Sequence, residues 1–109
     1  MTRTRPLDIT IIIYLYATNA GVLALRHFEA KILSTLNDHG WQLEVAFRPS
    51  PGLGTLSPPP DEIHILKFLN QDAFHCFRND PRHQALKSER AQVIAKTEII
   101  EFSEIQVYG

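Results

Sequence analysis

The stretch LDITIIIYLYA, residues 7–17, decides the fold. Branched and aromatic side chains dominate it, the composition of a strand. Side chains alternate along a strand, so Leu7, Ile9, Ile11, Ile13 and Leu15 point one way and Ile12, Tyr14 and Tyr16 the other. A strand apolar at nearly every position is expected to be covered on both faces. The longest apolar run, Ile9 to Ala17 with Thr10 inside it, is far short of the ~20 residues a membrane helix needs. It follows Thr2-Arg3-Thr4-Arg5 but lacks a small-residue cleavage site, so a buried strand is expected after a leader at residues 1–6, and the cytoplasm is the default location.

Working outward, residues 20–38 read as a helix that Thr18 or Asn19 can cap. Leu25, Phe28, Ile32 and Leu36 make its apolar stripe, and Gly40 can close it in the left-handed conformation. WQLEVAFR, residues 41–48, alternates, with Trp41, Leu43, Val45 and Phe47 on one face and Gln42, Glu44, Ala46 and Arg48 on the other. Residues 49–60 hold five prolines and two glycines, so a long loop follows, either a lid or plain surface connection. DEIHILKF, residues 61–68, is a third strand. A short helix beginning at Asn70 or Asp72 carries Phe74 and Phe77, and Asp80-Pro81 starts another that runs to about Ala95. TEIIEF, residues 97–102, is the fourth strand, of ambiguous facing, and Ile105–Tyr108 is a short fifth strand or an arm.

The order β-α-β-β-α-β predicts one ferredoxin-like α+β domain over residues 1–109, with a four-stranded antiparallel sheet and both helices on one face. The other face is then unaccounted for. Ile12, Tyr14, Tyr16, Leu66 and Phe68 are expected there, and leaving such side chains wet forfeits roughly 1.5–3 kcal/mol each. A second copy packed sheet to sheet resolves this, so a homodimer is expected. The hydrophobic first strand, the helix end LNDHGWQLE (36–44), DEIHILKF and the Asp-Pro helix DPRHQALKSERA (80–91) together resemble the dimeric α+β-barrel superfamily, most of all its small stand-alone domains of unknown function. The resemblance covers roughly residues 7–102; those domains commonly carry an aromatic residue where this chain has His83. It implies a dimeric barrel. The superfamily includes monooxygenases of antibiotic biosynthesis, haem-binding enzymes, muconolactone isomerase-like enzymes and members without known activity, so it implies no single chemistry.

The bulk numbers exclude several classes. Of 109 residues 44% are hydrophobic and 21% charged, the balance of one globular domain. The formal net charge of -1 offers no basic field for a phosphate backbone. An RNA-binding module of the same strand order would carry basic and stacking residues with glycines on strand three, whereas DEIHILKF has two acids and no glycine. Neither nucleic acid nor membrane is an expected partner. The single cysteine, Cys76, is read as a small buried hydrophobe, and no HxxxH or CxxC spacing suggests a metal. No cofactor is implied.

On the expected parity, Tyr14, Glu44, Arg48 and His64 meet on the open sheet face beside Leu66 and Phe68. An apolar face with a few polar groups is the composition of a small-molecule site. His64 can serve as acid or base, Arg48 can hold a carboxylate or oxyanion, and Tyr14, Glu44, Leu66 and Phe68 would line the ligand. Against this, Glu44 and Arg48 can form inter-subunit ion pairs and His64 can be an interface histidine. His27 and His39 read as surface and helix-end residues. Two functions stay open: a cofactor-independent enzyme on a small organic molecule, or a non-catalytic metabolite-binding or structural dimer module.

Overall fold

The computed structural model describes residues 9–50 and 54–102, with residues 41–44 through their backbone alone. The leader, Leu7 and the arm at Ile105–Tyr108 lie outside the described residues. Strand β1 (Ile9–Ala17) leads into α1 (Val22–Leu33), a 3₁₀ turn (Leu36–His39) and β2 (Trp41–Phe47). The second half holds β3 (Glu62–Phe68), α2 (Gln71–Arg78), α3 (Pro81–Ala85), α4 (Lys87–Val93) and β4 (Ile94–Phe102). The strands form one sheet of order β2-β3-β1-β4, antiparallel at every pair. This is the ferredoxin-like fold that the β-α-β-β-α-β order predicts.

The ends of the helices follow local chemistry. Gly40 sits at φ 63° and ψ 42° and closes the 3₁₀ turn in the left-handed region, where only glycine is unstrained. The start of α1 differs from expectation. Gly21, at φ 95°, precedes the helix, and neither Thr18 nor Asn19 caps it. Thr18 instead ties β1 to the far end of the chain: its hydroxyl donates to the Gln92 carbonyl at 2.6 Å, and its N–H to the Val93 carbonyl at 3.0 Å.

The second crossover is three short helices. Asn70 caps α2 by accepting from the Ala73 N–H at 2.9 Å, and Asp80 caps α3 by accepting from the Arg82 N–H at 2.8 Å. Pro81 lacks an N–H and forces the preceding residue out of helical geometry, which separates α2 from α3. Leu86, at φ -98°, breaks the segment again before α4. Asp80 also accepts from Arg82 Nη2 at 2.7 Å and contacts His39 Nε2 at 2.8 Å, so His39 pins the 3₁₀ turn to this junction rather than decorating a helix end. Arg82 and His39 hold the Asp80 carboxyl far below the usual range. Cys76 is exposed, which corrects its reading as a buried hydrophobe: Phe74 and Phe77 take the buried side of α2, and position 76 faces out.

Register fixes the two sheet faces. Ile9 pairs with Phe68, Ile11 with Leu66, Ile13 with His64 and Leu15 with Glu62, and these residues face the helices. The expectation that His64, Leu66 and Phe68 lie on the open face is therefore wrong by one residue of phase. The open face carries Ile63, Ile65 and Lys67 instead. It remains apolar, because Val45, Ile65, Ile12 and Ile100 line up as one row across all four strands. Phe47, Ile63, Tyr14 and Glu98 make the next row. Val45 is 41% and Ile100 43% exposed while Ile12 and Ile65 between them are half-buried, so no described residue covers the ends of the row. The alternation in WQLEVAFR does not survive either. Register shifts between Leu43 and Val45, so Val45 and Phe47 join the open face while Ala46 pairs with His64.

The core is split. One cluster joins Ile9, Ile11, Leu66 and Phe68 to Leu36, Phe74 and Phe77. A second joins Leu15 to Leu25, Phe28, Val93 and Ile94. Among the described residues, only Ile13 and Ile32 pack against both.

Candidate functional site

A cavity of about 330 Å³ opens where the two halves of the core meet. Its walls are apolar: Ile13, Leu15 and Leu66 from the sheet, Ile32 and Leu33 from α1, and Phe74 and Phe77 from α2. The breaks in the second crossover matter here. Three short helices bend around the opening where one straight helix would lie across it, and they bring Arg78, His83, Lys87 and Arg90 to its edge.

At the floor lies His64, 1% exposed. Its Nε2 is 2.7 Å from Glu62 Oε1, and Arg26 Nε donates to Glu62 Oε2 at 2.8 Å. Burial pushes the Glu62 carboxyl up, but the hydrogen bonds from His64 and Arg26 outweigh it, and the net shift is downward. Glu62 is thus a carboxylate and can only accept, so Nε2 carries the proton it shares with Glu62. In the neutral ring the lone pair then sits on Nδ1. That nitrogen is fully buried with no hydrogen-bond partner among the described residues. The nearest carboxyl is Glu29 at 3.6 Å, too far for a hydrogen bond. Burial raises the Glu29 pKa, partly offset by the charges of His64 and Arg90, so Glu29 shifts toward its protonated, donating form. A histidine oriented by a carboxylate, beside a carboxyl shifted toward its acid form, has the make-up that acid–base chemistry requires.

His83 reaches the same cavity from α3. The Thr35 hydroxyl donates to the Ile32 carbonyl at 2.7 Å, so toward His83 Nε2, at 2.9 Å, it accepts. The ring packs edge-on to Phe77 with centroids 4.7 Å apart, filling an aromatic place, and burial lowers its pKa.

The structure brings some of the expected residues together and parts others. His64 and Leu66 share the cavity, while Phe68 belongs to the core beside Phe74 and Phe77. Arg48, exposed beyond the end of β2, lines a second cavity of about 260 Å³, which shares Glu29, Leu33 and His64 with the first and adds Glu62 and Arg26. Tyr14 is on the opposite face of the sheet, across from Ile63 and Glu98, so it does not meet His64. The Glu44 side chain lies outside the described residues. Arg26, Glu29, Glu62 and the cationic edge join the site with no motif in the sequence to mark them. One signal was there: Glu29 is four residues after Leu25 and four before Leu33, a charged residue on an apolar stripe. Among the described residues no three His, Cys, Asp or Glu side chains are placed to hold a metal ion, and no helix is long and apolar enough to cross a membrane.

With this geometry the chain has a ferredoxin-like fold. Solved structures with the same fold include a DABB family protein with a ferredoxin-like fold from Mesorhizobium loti (TM-score 0.65, 17% identity, covering 91% of this chain and 98% of that one). A NIPSNAP family protein of unknown function from Agrobacterium tumefaciens has TM-score 0.67 and 18% identity, over 99% of this chain and 97% of that one. A dimeric ferredoxin-like protein of unknown function from Thermobifida fusca has TM-score 0.62 and 16% identity, over 89% and 91% of the two chains. No family model matches the sequence, and no curated protein matches it.

Proposed function

We propose that the protein is a homodimer that packs the open faces of two sheets together and uses the cavity under each helix layer for proton transfer on a small organic molecule. The dimer is supported by the uncovered row Val45, Ile65, Ile12 and Ile100 and by the dimeric neighbour of like fold. The chemistry rests on one observation: His64 Nδ1, buried and unpartnered, on a ring whose other nitrogen is held by Glu62. Leaving a buried acceptor unpaired costs about 1–3 kcal/mol, and a ligand proton at Nδ1 removes that cost. In the reaction Nδ1 takes a proton from an acidic C–H or O–H, the Glu62 carboxylate stabilises the imidazolium, and Glu29 gives its proton to the oxygen on which negative charge develops. Return of the two protons to new positions completes an isomerisation or ring closure without net change in charge.

Solvent deuterium wash-in to small carbon acids, such as phenylpyruvate and acetylacetone, tests this. The protein is expected to exchange one of them faster than buffer does, and His64→Gln to lower that rate by about 10²–10⁴-fold. A metabolite-binding module in the same cavity would show no exchange, and His64→Gln would change affinity alone.

A further inference from the structure

The edge of the 330 Å³ cavity carries a charge imbalance that the chain as a whole, at net -1, does not. Arg78, Lys87 and Arg90 stand around it, all exposed, and among the described residues none of the three is in an ion pair. Arg78 lies 5.6 Å over the Phe74 ring, and Arg90 donates to the Thr97 hydroxyl at 2.8 Å. The acids that might neutralise this edge are engaged elsewhere. Lys31 holds Glu89 through both oxygens, at 2.8 and 2.9 Å. Glu29 is the single carboxyl in the lining, and its burial favours the uncharged form. Behind the cations the walls are apolar down to His64.

Resting on the reading of this cavity as a ligand site, we infer that its ligand is a small organic acid, an apolar body bearing one carboxylate, with the carboxylate held among Arg78, Lys87 and Arg90 and the body extending toward His64. A neutral ligand would make no use of the three cations, and a cationic one would add a fourth. The guanidinium groups suit a planar carboxylate, and Arg78 is steadied over the Phe74 ring.

The test uses three probes with one apolar body: 4-phenylbutanoate, its methyl ester and 4-phenylbutylamine. Each is titrated into the intact protein while the ring signals of His64 and His83 are followed by NMR. The carboxylate is expected to shift both histidines and to bind at least about ten times tighter than the ester or the amine. Its affinity should fall with added salt while that of the ester stays level. Lys87→Ala and Arg78→Ala, both at exposed positions, should each weaken the carboxylate about three-fold and leave the ester unchanged. Equal binding of ester and carboxylate, with His64 shifted by both, overturns the acid preference and leaves the site reading standing. If no probe moves His64, both fail.

Discussion

Replacing Glu62 with Ala is expected to cost about 3 kcal/mol of folding stability, measured by urea denaturation. The magnitude follows from what Glu62 holds. It accepts from Arg26 Nε at 2.8 Å and contacts His64 Nε2 at 2.7 Å, so its removal strips partners from a buried ring and a cation together. Breaking a buried pair from one side costs about 3–5 kcal/mol, and the lower end applies because Arg26 keeps some contact with water. The pH dependence carries the same signature. The Glu62 pKa is lowered in the folded state, so its contribution is complete above the ordinary carboxylate range and is lost as pH falls through the folded value. Wild-type protein should therefore lose more stability than Glu62→Ala on acidification. Glu62→Gln separates stability from chemistry. Its amide oxygen can still accept from Arg26, but the amide N–H₂ turned to His64 donates, which moves the ring proton to Nδ1. The variant should fold, with activity down by roughly 10²–10⁴-fold through the wrong tautomer. Full activity in Glu62→Gln would show that Nδ1 is not the base.

The second large effect concerns assembly. Ile65→Asp places a charge in the middle of the row formed by Val45, Ile65, Ile12 and Ile100. Sedimentation of the wild-type chain at micromolar concentration should give twice the 12.4 kDa protomer mass, and the variant the protomer mass. Each apolar side chain returned to water forfeits about 1.5–3 kcal/mol, so loss of the twin should also lower the melting temperature by several degrees. Leu23→Asp is the control: Leu23 is 78% exposed on α1, and its substitution should leave the mass unchanged. A wild-type monomer, or an unaltered dimer in Ile65→Asp, would remove the open face as the interface.

How much of this was legible in the sequence depended on how many patterns agreed. LDITIIIYLYA is apolar in both phases and β-branched, which marks a strand, and with the order of elements it led to the ferredoxin-like fold. DEIHILKF was harder, because both of its phases are apolar: Ile63 and Ile65 on one side, Leu66 and Phe68 on the other. The expected parity turned His64 to the open face with Leu66 and Phe68, but His64 is buried as the partner of Glu62, and only the pairing of Ile11 with Leu66 decides the phase. The bulge at Glu44 was invisible because WQLEVAFR alternates without a glycine or proline to mark it. The site itself depends on contacts distant in sequence. Arg26 and Glu62 are 36 residues apart, and Thr35 and His83 are 48 apart, so no local pattern records them.

Which nitrogen of His64 carries the proton decides whether the ring can be the base. Two-bond ¹H–¹⁵N correlation of the histidine rings at neutral pH reads this in the intact protein. The prediction is a proton on Nε2 and a bare Nδ1 in His64, reversed in Glu62→Gln and perturbed by 4-phenylbutanoate. A wild-type His64 protonated on Nδ1 alone would contradict it, because the cavity would then face a donor where the proposed chemistry needs a base.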